Sequence, residues 1–202
     1  MQPFTKLTAV AAPFDLENVD TDKIVPARYL RKPREGGYGQ YLFRDLRFDA
    51  DGSERPGFFL NQTPWRSARI LVAGANFGCG SSREAAVYAL MDFGIRSVIA
   101  SSFGDIHYGN ELQNGMLPVI LPEETCRALR EQLHASPGAH VTVDLETQQV
   151  IAPDGASHRF EIDPVYRERL LKGLDDVALI LRHLPEIEAF EKRHHGAMPW
   201  LV

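Results

Sequence analysis

Between positions 74 and 84 the chain reads Gly74-Ala-Asn-Phe-Gly-Cys-Gly-Ser-Ser-Arg-Glu84, and these are the residue types that could do chemistry together. Glycines let backbone approach a ligand closely, and a helix opening at the end of the run would aim its first free N–H groups at the same place. Arg83 adds a planar, two-pronged donor that matches a carboxylate. The known phosphate loops do not fit. Gly78-x-Gly80 is followed by Arg83 where a dinucleotide site needs a third glycine, and no Gly-Lys-Ser/Thr run is present. The expected ligand is an anion, in particular a carboxylic acid.

Each side chain also has a plainer reading. Ser81-x-x-Glu84 has the form of a capping box, which opens many helices that do no chemistry. Arg83 suits that reading less well, because a cation in a first helical turn is disfavoured by roughly a few tenths of a kcal/mol unless an anion is bound there. Cys79 is either a nucleophile with a lowered pKa or a small residue packed into a tight turn. His107 is either a general base or a structural histidine, and Ser102-x-x-Asp105 reads as a second capping box.

The elements that must position this turn follow from periodicity. Ile70 to Ala73 is an apolar run of strand length, and Ser82 to Phe93 has apolar residues at helical spacing, with Gly94 as its C-cap. Ser97 to Ala100 is the next strand, Phe103 to Leu112 a helix leaving at Gly115, and Leu117 to Leu121 a third strand. The spacing predicts three parallel strands joined by right-handed crossovers. The turn then lies beyond the carboxyl end of a strand, where ligands bind in open α/β sheets.

Upstream, residues 1 to 63 are irregular, with a predicted first strand over Phe4 to Val10, an Asp-rich turn (Asp15, Asp20, Asp22) and a glycine-rich stretch, Gly36-Gly37-Tyr38-Gly39. Downstream, a helix is predicted over Glu123 to His134. Short strands follow at Val141 to Val143, Gln149 to Ile151 and His158 to Glu161, then helices at Val165 to Leu171, Asp175 to His183 and Glu186 to His194. The predicted fold class is α/β, one domain over residues 1–202, with a core to about 163 and a helical extension from about 164.

Composition narrows the function. The 202 residues carry 22 basic against 27 acidic side chains, a formal charge of −5, and no block of like charge, which argues against nucleic acid or a membrane as the main partner. Two cysteines, Cys79 and Cys126, cannot build a disulfide framework, a zinc site or an iron–sulfur cluster within this chain, and the seven histidines add no helical pair. Any metal must come from elsewhere. No run has the length of a membrane span, and the run Leu7 to Phe14 reads as a strand rather than a signal peptide, so the expected location is the cytoplasm.

At Asn76-Phe-Gly-Cys-Gly-Ser-Ser-Arg-Glu84 the sequence resembles the aconitase superfamily, specifically the swivelling β/β/α domain found as the small subunit of 3-isopropylmalate dehydratases. Asn18-Val-Asp-Thr-Asp-Lys-Ile-Val-Pro26 with Tyr29-Leu30, Ser102-Phe-Gly-Asp-Ile-His-Tyr-Gly-Asn110, Asn114-Gly-Met-Leu-Pro118 and Gly173-Leu-Asp-Asp176 extend the resemblance over nearly the whole chain. It implies a mainly parallel core sheet with added antiparallel strands. It also implies that Ser81 is the base that takes a proton from the carbon beside a carboxylate, and that Ser82 and Arg83 hold that carboxylate. A serine alcohol is a poor base, so cationic and N–H donors must make its alkoxide accessible. The implied reaction interconverts 2-isopropylmalate and 3-isopropylmalate, a step of leucine biosynthesis, by removal and return of water. The implied partner is a large subunit whose 4Fe-4S cluster acts as Lewis acid on the leaving hydroxyl, and this chain binds no cofactor itself.

In the family the loop after the first motif helps select substrate. Here it is the basic run Arg28 to Gly39, expected to act as a mobile lid on a dicarboxylate, with Arg31 as the binding residue. One departure stands out: Ala85 occupies a position where the family usually has histidine. Alternative readings are the same chemistry on another substituted malate, of the citraconate and 2-methylmalate type, a thiol enzyme centred on Cys79, and a non-catalytic module that binds an anion or a protein.

Overall fold

The computed structural model describes residues 1–80, 82–198 and 200. Its centre is a seven-stranded sheet of β1 (Lys6–Phe14), β2 (Ile70–Ala73), β3 (Ser97–Ala100), β4 (Leu117–Ile120), β5 (His140–Asp144), β6 (Gln149–Ile151) and β7 (Ser157–Arg159), in the order β4-β3-β2-β1-β5-β6-β7. β4, β3, β2 and β1 are parallel neighbours, and β1-β5-β6-β7 are antiparallel. The α/β class, the parallel trio and the three added strands are as the sequence predicts.

β1 belongs to both halves. Lys6 to Val10 pair with Asp144 to His140, whereas Ala11 to Phe14 pair with Ile70 to Ala73. The sequence places a first strand at Phe4 to Val10 and also reads the run Leu7 to Phe14 as strand; β1 follows the longer reading and continues through Pro13. Ala11 N–H donates to Ala139 O (3.2 Å), away from β2. Pro13 shares that orientation but lies beyond the end of β5, so its missing N–H leaves no ladder bond unmade.

The parallel strands β2 to β4 are apolar but for Ser97, whose Oγ donates to Leu117 O (2.7 Å), because both faces are covered over most of their length. Ala12, Phe14, Leu71, Ala73, Val98 and Ala100 face one core with Ala86, Val87 and Leu90 of α3 (Glu84–Phe93). Ala9, Ala11, Ile70, Val72, Ile99, Leu117 and Val119 face another. That second core holds Leu112 of α4 (Asp105–Asn114), Cys126, Leu129 and Leu133 of α5 (Glu123–Ala135) and Leu170 of α6 (Pro164–Lys172). The antiparallel half is apolar on one face only: Val141 and Val143 are buried, while Thr8 and Thr142 hydrogen-bond across the exposed face (2.7 Å).

Residues 1–63 are less irregular than predicted. They hold α1 (Thr21–Ile24), α2 (Arg44–Arg47) and a series of single 3-10 turns, folded over the first core by Phe14, Phe43, Phe58 and Phe59, whose rings pack at 4.7–6.2 Å. At the other end, α6 is followed by α7 (Asp176–Leu181) and α8 (Leu184–Ala197). Gly173 ends α6 in the left-handed conformation, and Pro185 lies inside the first turn of α8, where its missing N–H costs nothing.

Candidate active site

The turn after β2 is clamped from both sides. Gly78 N–H donates to Val19 O (2.7 Å), Thr21 N–H to Cys79 O (3.0 Å) and Asn18 N–H to Ala75 O (2.9 Å), which binds it to the segment leading into α1. On the other side Phe77 N–H donates to Ser102 O (3.0 Å) and Gly104 N–H to Phe77 O (2.9 Å). Asn76 is left-handed (φ 57°), a conformation its side chain supports by donating to Asn18 Oδ1 (2.8 Å), while its N–H donates to Ser102 Oγ (2.8 Å). The fully buried Phe77 pins the turn to the core. Ser102 therefore braces the turn and is not a cap: the N-cap of α4 is Gly104, with no side-chain bond.

The most demanding fit is at Gly78 (φ 71°), where a Cβ would sit 2.1 Å from the His107 ring. His107 is itself buried, packed edge-on to Phe77 (5.6 Å), with Nε2 2.9 Å from Oε1 of the fully buried Glu111. That approach is close but out of line for a good hydrogen bond, and His107 Nδ1 has no partner among the described residues. Burial pushes the Glu111 carboxyl above its ordinary value, more than His107 pulls it down. His107 and the half-buried thiol of Cys79 border a cavity of about 300 Å³ with Asn76, Gly80, Gly104 and Asp105. No hydrogen bond joins the two, among the described residues, and the imidazole Nε2 is turned to the Glu111 carboxyl. This is the structural arrangement, not a base poised on the thiol.

Arg83 is placed differently from the prediction. α3 begins at Glu84, so Arg83 is its N-cap, in extended conformation (φ −142°, ψ 97°), not a residue of the first turn. Its side chain, 15% exposed, forms an ion pair with Asp22 in the first turn of α1. Asp22 also accepts from Ala27 N–H (3.2 Å), and the Arg83 guanidinium holds its carboxyl below the usual carboxylate range. α1 is itself capped by Asp20, which accepts from Lys23 N–H (2.7 Å). Glu84 is the first helical residue, and its carboxylate accepts from Asn114 Nδ2 (2.9 Å).

Ser81 lies outside the described residues. Ser82 is exposed, immediately before Arg83. Arg31 is exposed on the loop after α1 and has no ion-pair or hydrogen-bond partner among the described residues, so the structure does not join it to Arg83. The second half of that loop is fastened: Tyr38 N–H donates to Asp92 Oδ2 (2.7 Å), Tyr38 OH donates to Lys32 O (2.8 Å), and the Arg34 guanidinium lies 3.7 Å over the Tyr88 ring. Two partners escaped the sequence reading. Asp22 was visible only as part of an acidic turn, because its pairing with Arg83 spans 61 positions. Glu111 carried a signal, the i,i+4 spacing from His107.

The chain has the fold and turn of an aconitase-type swivelling domain: residues 1–124 match the aconitase C-terminal domain, residues 127–164 match LeuD_N, and residues 176–202 match the C-terminal domain of the 3-isopropylmalate dehydratase small subunit. It is 52% identical to the 3-isopropylmalate dehydratase small subunits of Gluconacetobacter diazotrophicus, over 99% of this chain and 97% of that one, and of Rhodospirillum centenum, over the whole of both. The crystal structure of the 3-isopropylmalate dehydratase leuD of Methanocaldococcus jannaschii superposes with a TM-score of 0.66 at 28% identity, covering 91% of this chain and 99% of that one. The chain belongs to the 3-isopropylmalate dehydratase small-subunit family, whose activity is that of a hydro-lyase working with a large subunit.

Proposed function

We propose that this chain supplies the proton-transfer and carboxylate-binding half of a site that interconverts 2-isopropylmalate and 3-isopropylmalate. The observation that carries the reading is Arg83: a mostly covered guanidinium, oriented by Asp22, at the mouth of a turn whose backbone is fixed on both sides. A guanidinium held by one carboxylate keeps further N–H donors for a second, and that second is the carboxylate of a small dicarboxylic acid. Ser82 assists from the adjacent position and Arg31 reaches in from its loop. Ser81 takes the proton from the carbon beside the bound carboxylate, and the positive charge of Arg83 favours its alkoxide.

Among the described residues no group of three or more His, Cys, Asp or Glu side chains is placed to hold a metal ion. Cys126 is buried with its thiol directed to Leu121 O (3.6 Å), and burial raises its pKa to about 11. The side chains of this chain do not fit an iron–sulfur cluster, so the 4Fe-4S group is assigned to the large subunit. The unpaired thiols agree with a cytoplasmic location, and no described helix is long and apolar enough to cross a membrane. Within the chain, one swivelling domain spans residues 1–202, with its core to about residue 163 and a helical extension from about 164.

Co-expression with a cluster-bearing large subunit tests this. The assembled complex is expected to turn over 3-isopropylmalate, and Ser81→Ala to lower kcat by at least about 10²-fold with assembly intact. An active Ser81→Ala complex sinks the mechanism. Turnover across a panel of substituted malates, 2-methylmalate included, fixes the substrate.

A further inference from the structure

A second cationic corner lies at the far end of the sheet. Arg69 and Arg96 each stand one residue before a strand, β2 and β3, and they are side by side: Arg96 N–H donates to Arg69 O (2.8 Å). The glycine–serine turn leaves the opposite end of β2, on the order of 13 Å away along the strand. With the segment Gln2 to Leu7 the two arginines line a cavity of about 160 Å³. The Arg96 guanidinium is fixed there by Gln2 Oε1 and by Gly115 O (3.2 Å), while its Nε is buried and has no partner among the described residues.

Nothing of opposite charge answers the pair. Among the described residues no carboxylate lies within ion-pair distance of Arg69 or Arg96, although the chain as a whole carries a charge of −5. The third cation at the rim, Lys6, is balanced by Asp144 (3.2 Å). Burial first, and then the neighbouring Arg69 charge, pull the Arg96 guanidinium below its ordinary value. Like charges abreast at the starts of adjacent strands are unfavourable, and an anion between them removes the penalty.

We propose that Arg69 and Arg96 form a binding site for a small oxyanion, a carboxylate or phosphate group, separate from the turn that carries Arg83. A cavity of this size holds the volume of about five water molecules, enough for phosphate or a short carboxylic acid. The wall of the site is also a brace. The Met1 ammonium donates to Gly173 O (3.0 Å) and Phe4 N–H to Leu170 O (2.9 Å), so an occupant that orders Gln2 to Lys6 also secures α6.

Thermal unfolding of the full chain, alone and in complex with the large subunit, is measured against inorganic phosphate and against acetate, with chloride holding ionic strength constant. The expected result is a saturable rise in Tm with one or both anions. Its half-saturation point should move up about tenfold in Arg96→Gln and in Arg69→Gln, and stay in place in Arg83→Gln. Response to phosphate alone assigns a phosphoryl ligand, and response to acetate a carboxylic acid. Arg69 is exposed, so its variant decides the matter if Arg96→Gln does not fold. The proposal is overturned by the absence of a saturable response, by one that survives in Arg69→Gln, by one that disappears in Arg83→Gln, or by its loss on binding the large subunit, which would make the pair a dock for an acidic side chain of that subunit.

Discussion

Arg83 meets its proposed ligand already half engaged, since Asp22 holds one side of the guanidinium across the gap between α1 and α3. Freeing it should cost orientation more than charge. Asp22→Asn is expected to lower kcat/KM of the assembled enzyme about tenfold, with Arg83→Lys losing about 10² because an ammonium cannot reproduce the fork. Steady-state kinetics on both variants checks this. Because the Asp22 carboxyl is held below its ordinary value, the pair persists at neutral pH and is lost only as pH falls through that lowered value, below about 4.

Glu111 has the opposite sign. Its raised pKa means that the folded chain keeps a proton the unfolded chain gives up, so its effect on stability worsens as pH rises above the ordinary carboxylate value of about 4.3. Glu111→Gln removes that dependence while keeping the shape. The Tm of Glu111→Gln relative to the parent chain should therefore climb between pH 5 and pH 8; a difference that stays flat across that range would contradict the assignment.

At the scale of elements, two glycines in the same backbone region ask for different things. Gly94 caps α3 at φ 117° with open space around its Cα, so Gly94→Ala should cost about 1 kcal/mol of unfolding free energy. Gly78 combines a left-handed φ with the His107 ring at 2.1 Å from any added Cβ. Gly78→Ala should cost about 3 kcal/mol, read as a denaturant midpoint shift well beyond that of Gly94→Ala. The parallel strands and α3 to α5 were legible in the sequence, because their apolar runs and terminal glycines are local signals. The start of α3 was misjudged by two residues, and with it the place of Arg83. Serines before a helix read as caps when chain neighbours alone are considered, whereas this turn is held by backbone bonds to Val19, Thr21 and Ser102, which periodicity does not encode. The same limit hid Asp22, and it made residues 1–63 look looser than they are, since aromatic packing against α3 replaces regular hydrogen bonding there.

The whole molecule is uneven in how firmly its parts are held. α6 buries Leu170 and Arg169, but no residue of α7 or α8 is buried, and Val177, Ile180, Leu181 and Phe190 are exposed. Deleting residues 177–202 should leave the Tm of the isolated chain within about 3 °C of the parent, by calorimetry, because little apolar surface is given up. A collapse of the transition would mean that the extension is part of the core after all. β1 poses the opposite case. It is made before the other strands of the sheet, and its antiparallel neighbour β5 is made more than a hundred residues later. At ordinary ribosomal speeds that is a delay on the order of ten seconds, during which the Lys6 to Val10 half of a central strand is an open edge in search of a partner. Sheet closure in this chain is therefore a late, long-range event. The register written into Lys6 to Val10 is read only when Val141 and Val143 arrive to cover it.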